Sequence, residues 1–416
     1  MVACIVVLIV GPLRAQEATW SSWAGPNGDF TFSPSEEKEL KQPKILWERP
    51  LGNGHSSVVT DGDYCFCLYS TGEIESIQKI ELETGKLLWQ VDRRVSIEAK
   101  RYPGPHATPL VSKSTLVSAS IDGVIYALSA TTGEVLWERD LKRDFGTTLP
   151  QSGYASSPLL FENSVIVPTL GKAQRRETES FQLPDKDSPP GAVALELNSG
   201  RTVWGSESFR SSHASPVLFE VNQQPIICIH GMFELIALEP RSGNLLWKHR
   251  LRDLASDNVS FTPLWDQTRQ QILVSHGYCE RGTQAIGVTQ AKGRWETKLN
   301  WSNRGLRLVH TNAVLVADLL VGTTKEPTLL FGVDCTDGQT VFRKRGFTKA
   351  NLICSSKLAL LLEENGVLRS GIIDMKGFTQ RWQMQPVTGK AWTAPSWFDG
   401  KILVRSDESL CCLIFD

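Results

Sequence analysis

After its first few positions the chain has no apolar run of about eighteen residues, so no transmembrane helix is expected. It has no excess of either charge. Its 44 Lys and Arg stand against 45 Asp and Glu, which excludes a surface built to coat nucleic acid, because such surfaces carry a basic surplus. Nine cysteines include no C-x-x-C pair, which removes zinc-ribbon and thioredoxin chemistry. A Gly-rich phosphate loop, an H-E-x-x-H helix and a G-x-S-x-G turn are also missing. No catalytic residue and no metal site is therefore assigned.

What is present describes a globular chain. Hydrophobic residues at 41% and charged residues at 21% supply a core, and 416 residues suffice for two or three domains or one large β architecture. The N-terminal "VACIVVLIV" (residues 2–10) is too short to span a bilayer and is followed by Gly11, Pro12 and "LRAQ". That is the pattern of a leader and its cleavage region. Residues 1–16 are expected to be a signal peptide, and the protein periplasmic or secreted. Cys4 lies ahead of the cut and no cysteine follows the apolar run directly, so a lipidated mature N-terminus is not expected. Of the eight remaining cysteines, Cys65 and Cys67 would share one face of a strand, and Cys411 and Cys412 would point to opposite faces. Buried single thiols are the expectation.

The most informative feature is a repeat. "ETGKLLW" ends at Trp89, "TTGEVLW" at Trp137, "NSGRTVW" at Trp204 and "RSGNLLW" at Trp247. Weaker copies end at Trp295, Phe342 and Trp382, and Trp47 in "KILWERPL" has the aromatic without the Thr-Gly. Successive anchors stand 40 to 48 residues apart, except for one interval of 67. That period fits a four-stranded propeller blade. The Gly gives the hairpin its positive φ, and the aromatic offers a flat face to the neighbouring sheet. After Trp382 three strands remain, and the strand that carries Trp47 supplies the missing fourth. The sequence therefore predicts an all-β, eight-bladed propeller over residues 44–416, with the N-terminal strand completing the last blade. A Trp-rich arm (17–43) precedes it, and one insertion (171–190) accounts for the long interval.

The "ALxxxTGxxxW" copies resemble the PQQ-type quinoprotein β-propeller repeat family, which includes outer-membrane assembly factors. "WSSWAGPNGDF" (residues 20–30) is similar to a segment that precedes such propellers. In the dehydrogenase branch the resemblance implies PQQ, calcium, an Asp base and a disulfide of adjacent cysteines. Here the adjacent cysteines fall in the final strand, and no Glu/Asn/Asp set maps onto that branch. The assembly-factor branch is normally lipid-anchored, and this chain lacks the cysteine for it. A fold does not fix a function.

One repeat position is unusual. Aligning the first strands on the Pro of "ATP" and "ASP" places His106 and His213 three residues ahead of it. The same register gives His55 and His310, with Ala155, Ser260 and Trp392 in other blades and blade seven unclear near Asn351. Four of seven histidines at one position are expected to rim one mouth of the channel, together with Trp392. Loops of variable length open on that face, as binding surfaces commonly do. His55 and His106 could share an ion; His213 and His310 sit too far round the ring, since packed sheets lie about 10 Å apart. Arg93, Arg94, Lys100 and Arg101 in one loop, and Arg175 and Arg176 in the insertion, read as solvated charge or as a site for an anionic or acidic partner.

The expected function is a non-catalytic, monomeric binding or scaffold protein without a cofactor. It would engage an envelope protein or polymer through the channel face. Two alternatives are a PQQ- and calcium-dependent oxidoreductase, and a carbohydrate-binding or sugar-cleaving propeller using Trp392 and Trp397.

Overall fold

The structure is a computed structural model and describes residues 19–34, 41–95, 102–150, 152–170, 188–252, 259–277 and 281–415. The expected leader and residues 171–187 of the expected insertion lie outside the described residues, as do Cys4, Cys279, Lys100, Arg101, Arg175 and Arg176.

Thirty-two strands form eight four-stranded antiparallel sheets, and the one described α-helix is the five-residue Leu141–Phe145. Seven sheets use consecutive strands: blade 1 covers residues 59–94, blade 2 110–140, blade 3 159–205 and blade 4 217–250. Blades 5, 6 and 7 cover 264–303, 313–344 and 350–384. Blade 8 is made from both ends. Its first three strands lie within 396–414, and Lys44–Pro50 pairs with Ser409–Ile414 as the fourth. The ring therefore closes without an open sheet edge at the join.

Strand composition follows position. The second strands, such as Thr115–Ala119 and Lys401–Arg405, are buried on both faces because neighbouring blades cover both sides of each sheet. Fourth strands such as Leu87–Arg94 alternate, with one face in solvent. The Thr-Gly hairpin and the anchor aromatic belong to one joint between blades. Trp137 Nε1 donates to the Leu197 carbonyl of the next blade at 2.8 Å. A Cβ on Gly200, which has φ +66°, would come within 2.6 Å of the Trp137 ring. Trp47 does the same across the ring closure, donating to the Leu82 carbonyl at 2.7 Å while Gly85 sits under its ring. Each anchor so placed locks one blade to its successor.

Blade 5 departs from the expected anchor. The residue that faces Ala285 beside the bulge, as Trp137 faces Ala127, is Trp301 and not Trp295. Trp301 is buried, donates to the Cys335 carbonyl at 2.8 Å and covers Gly338. Trp295 pairs with Gln290 near the hairpin tip. The outer hairpin of this blade has strands of nine and ten residues, longer than its counterparts, so a Gly-Arg-Trp copy at its end falls beyond the joint.

The seven described cysteines after the leader are all free and buried. Cys65 and Cys67 pack in one cluster, whereas Cys411 and Cys412 belong to two different clusters.

Candidate functional site

The first strand of each blade begins at the same channel mouth. Just ahead of it a belt of small polar residues stitches the blades together. The Ser57 N–H donates to Thr108 Oγ1 at 2.8 Å, Thr108 N–H to Ser157 Oγ at 2.9 Å, and Ser157 N–H to Ser215 Oγ at 3.0 Å. Farther round, the Asn312 N–H donates to Asn351 Oδ1 at 2.9 Å. These bonds satisfy backbone groups that face no strand, and they hold the mouth at fixed radius.

The arm closes the other mouth. Thr60 and Val111 N–H groups donate to the carbonyls of Trp20 and Ser21, while the Phe32 N–H donates to the Cys354 carbonyl and the Cys354 N–H to the Phe30 carbonyl. Trp20, Phe30 and Phe32 are buried. Trp23 turns inward and donates to Thr262 Oγ1 at 2.9 Å, reaching the cavity floor. Trp397 stacks on Phe32 at 4.4 Å and is buried, so it is not an exposed sugar platform.

Above this floor lies a cavity of about 150 Å³. His55, His106, His213, His310 and Trp392 all line it. Their two-residue offset from the polar belt fixes the register: His55 precedes Ser57 as His106 precedes Thr108. In blade 7 the equivalent residue is Lys349, two ahead of Asn351. Counting back from the belt residue would have found it.

The side chains meet more closely than sheet spacing suggests, because inner strands converge on the axis. The rings of His55 and His106 are 5.2 Å apart, as are those of His55 and Trp392. The His310 ring lies 6.4 Å from that of Trp392, stacked and nearly parallel at 10°, so blade 6 joins the cluster. Tyr102, from the loop between blades 1 and 2, stands 5.5 Å from His310 and 5.6 Å from Trp392. Nothing in the repeat pointed to Tyr102, because it belongs to a connection and not to a blade. Lys349 and Lys390 place ammonium groups 4.1 and 4.8 Å from the Trp392 ring centroid. Trp392 Nε1 donates to Glu364 Oε2 at 3.0 Å, and Lys349 pairs with the same carboxylate at 3.5 Å.

The histidines are partly open to the cavity as residues, but key ring nitrogens are buried. Both nitrogens of His55 and Nδ1 of His213 make no hydrogen bond. Burial, then the charges of His106, Arg405, Lys390 and His310, push the His55 pKa well below the usual imidazole range. Burial lowers that of His106, against the opposing hydrogen bond to the Tyr102 carbonyl at 3.0 Å. Burial, then His106 and His310, takes His213 down to about 3; its Nε2 lies 3.1 Å from Ser152 Oγ. These three imidazoles are neutral near pH 7.

Arg93 and Arg94 are paired, with Asp122 at 3.0 Å and Glu73 at 2.6 Å. They read as satisfied surface and rim charges.

The closed ring and its repeat define a PQQ-type β-propeller with an arm-plugged channel. Residues 70–344 match the family described as outer membrane protein assembly factor BamB, and the chain belongs to that family. The assembly factor BamB of Yersinia pestis is 22% identical over 53% of this chain, which spans 65% of that relative's length. BamB from Moraxella catarrhalis superposes with TM-score 0.60 at 15% identity, covering 90% of this chain and 100% of its own. Quinohemoprotein alcohol dehydrogenase from Comamonas testosteroni gives 0.67 at 11% identity, covering 96% and 81%. At these identities the structures share the fold alone.

The residues do not fit PQQ with calcium. Calcium takes six to eight oxygen ligands, carboxylates prominent among them, and among the described residues no Asp or Glu lines the cavity. The belt hydroxyls are already engaged between blades. Cys411 and Cys412 are buried thiols within a strand, remote in kind from a disulfide over a channel mouth. Among the described residues no group of three or more His, Cys, Asp and Glu is placed to hold a metal ion.

Proposed function

We propose that this chain is an exported, monomeric, non-catalytic binding protein that engages an envelope protein or polymer at the His–Trp mouth of its channel. Membership of a family named for outer-membrane assembly supports a scaffold role. The apolar run at residues 2–10 supports export, and among the described residues no helix is long and apolar enough to cross a membrane. The observation that carries the reading is the mouth itself. A rigid polar belt presents His55, His106, His213, His310 and Trp392 around one small cavity with no carboxylate among the described residues of its lining.

The experiment that tests this against quinone chemistry is thermal unfolding with PQQ and calcium. A ligand at a hundred times its Kd stabilises by about 2.7 kcal/mol, which is visible as a shifted midpoint. The binding-protein reading predicts an unchanged midpoint. A shift abolished by His55→Ala and His106→Ala would replace it with the enzyme reading.

A further inference from the structure

Three features of the channel cavity select the chemistry of what enters it. Among the described residues no acidic side chain lines it. Its walls carry hydrogen-bonding atoms with no partner, namely both ring nitrogens of His55 and Nδ1 of His213. Cations stand behind those walls. Arg405 is fully buried beneath Gly54, and its guanidinium bonds the carbonyls of Gly52, Leu68 and Ser406 and the Cys67 thiol, with no carboxylate bonded to it. Lys349 and Lys390 flank Trp392.

A ligand cation would meet the charges of Arg405 and Lys390, that of Lys349 being offset by its pair with Glu364, and both lysines already stand over the Trp392 ring. A neutral apolar group would leave the His55 nitrogens without partners, which is costly in a buried site. An anion answers both problems. Size sets the stem: a cavity of about 150 Å³ matches one that admits a single benzene-sized ring. We propose that the cavity binds one carboxylate, carried on a stem no larger than a single ring, with the His55 imidazole donating to it and His213 as the second donor. This rests on the channel face being the binding face, and it adds the ligand class.

Binding is then coupled to proton uptake. His55 is faced by His106, His310, Arg405 and Lys390, and His213 by Ser152, His106 and His310. All the charged neighbours oppose protonation in the empty cavity. A bound carboxylate reverses the balance, so an imidazole gains a proton as the anion enters. Between the free and bound pKa values the affinity falls about tenfold per pH unit as pH rises.

Calorimetric titration of the mature chain with benzoate and with benzamide tests this. Benzoate is expected to bind at least tenfold more tightly than benzamide, and about a hundredfold more tightly at pH 5.5 than at pH 7.5. Buffers of different ionisation heat should report about one proton taken up. His55→Gln should abolish the pH dependence, and Lys390→Gln, at an exposed position, should weaken benzoate at both pH values. Displacement of benzoate by N-acetylglycine but not by N-acetylglycinamide would identify a protein C-terminus as the source; benzoate binding without displacement would identify a free organic acid. Equal binding of benzamide, no binding of benzoate, or benzoate binding indifferent to both variants would overturn the proposal. If PQQ and calcium leave the midpoint unchanged and benzoate does not bind, this inference alone fails; stabilisation by PQQ would remove the reading beneath it.

Discussion

Trp295 and Trp301 lie on one strand, six residues apart, and do different work. Trp301 fills the joint between blades 5 and 6 and bonds the Cys335 carbonyl, while Trp295 lies half-buried near a hairpin tip. Trp301→Ala should therefore cost about 3–5 kcal/mol of stability, and Trp295→Ala roughly 1 kcal/mol. Urea unfolding of both variants checks this, and equal losses would refute the assignment of the joint. The signal for Trp301 was present in the sequence. Asn303, two residues on, donates to the Gly338 carbonyl at 2.7 Å, as Arg139 donates to that of Gly200 at 2.7 Å.

Glu75 makes a second prediction at the same scale. It is 1% exposed between blades 1 and 2, accepts from the Ile121 N–H at 3.0 Å, and has one carboxylate oxygen without a partner. Burial raises its pKa to about 7, Asp122 adds to the rise, and Ser120, Ile121 and Arg93 oppose it. The folded state thus holds its proton more tightly than the unfolded chain. This contribution is greatest below the unfolded pKa near 4.5 and is lost as pH rises to about 7. The loss is on the order of 3 kcal/mol. Glu75→Gln should match the wild type near pH 4.5 and exceed it at pH 8 in denaturant midpoint. A pH-independent difference would show that the carboxylate is ionised in the fold.

Among the elements, the arm is the least legible in sequence and the most consequential for the site. Its tryptophans were visible, but their destination was not, because arm and channel floor are distant in the chain and share no periodicity. Trp20, Phe30 and Phe32 are each buried to within a few per cent. Each contributes about 1.5–3 kcal/mol of burial, offset in part by the entropy of ordering the segment. Removing residues 17–34 should lower stability by roughly 2–5 kcal/mol and expose Trp397 to collisional quenching. An unchanged unfolding midpoint would mean that the arm is not seated in solution. The closing strand shows the opposite case. Lys44–Pro50 was legible as the fourth strand of blade 8 because a count of strands at both ends of the chain leaves one missing at the end and one spare at the start.

For the whole molecule, the ring of eight blades follows from the repeat, and the histidine register follows from the first strands. Repeats fix equivalent positions, so His55, His106, His213 and His310 could be found together without coordinates. Tyr102 and Lys390 could not be found that way. They come from connections whose paths obey no repeat, whereas Lys349 holds the repeat position and is found only by counting back from Asn351, because its blade lacks the Pro landmark. The cluster's compactness was also hidden, because sheet spacing describes mid-blade distances and not the converging rim.

The central claim is that this mouth, and not the arm-sealed one, meets the partner. Placing a photoreactive amino acid at Lys390, exposed at the His–Trp mouth, and separately at Lys113, exposed in a turn at the opposite end of its blade, tests it most directly in cells that produce the protein. Cross-linked adducts from position 390 and none from 113 are the predicted result. Adducts from position 113 with none from 390 would contradict it.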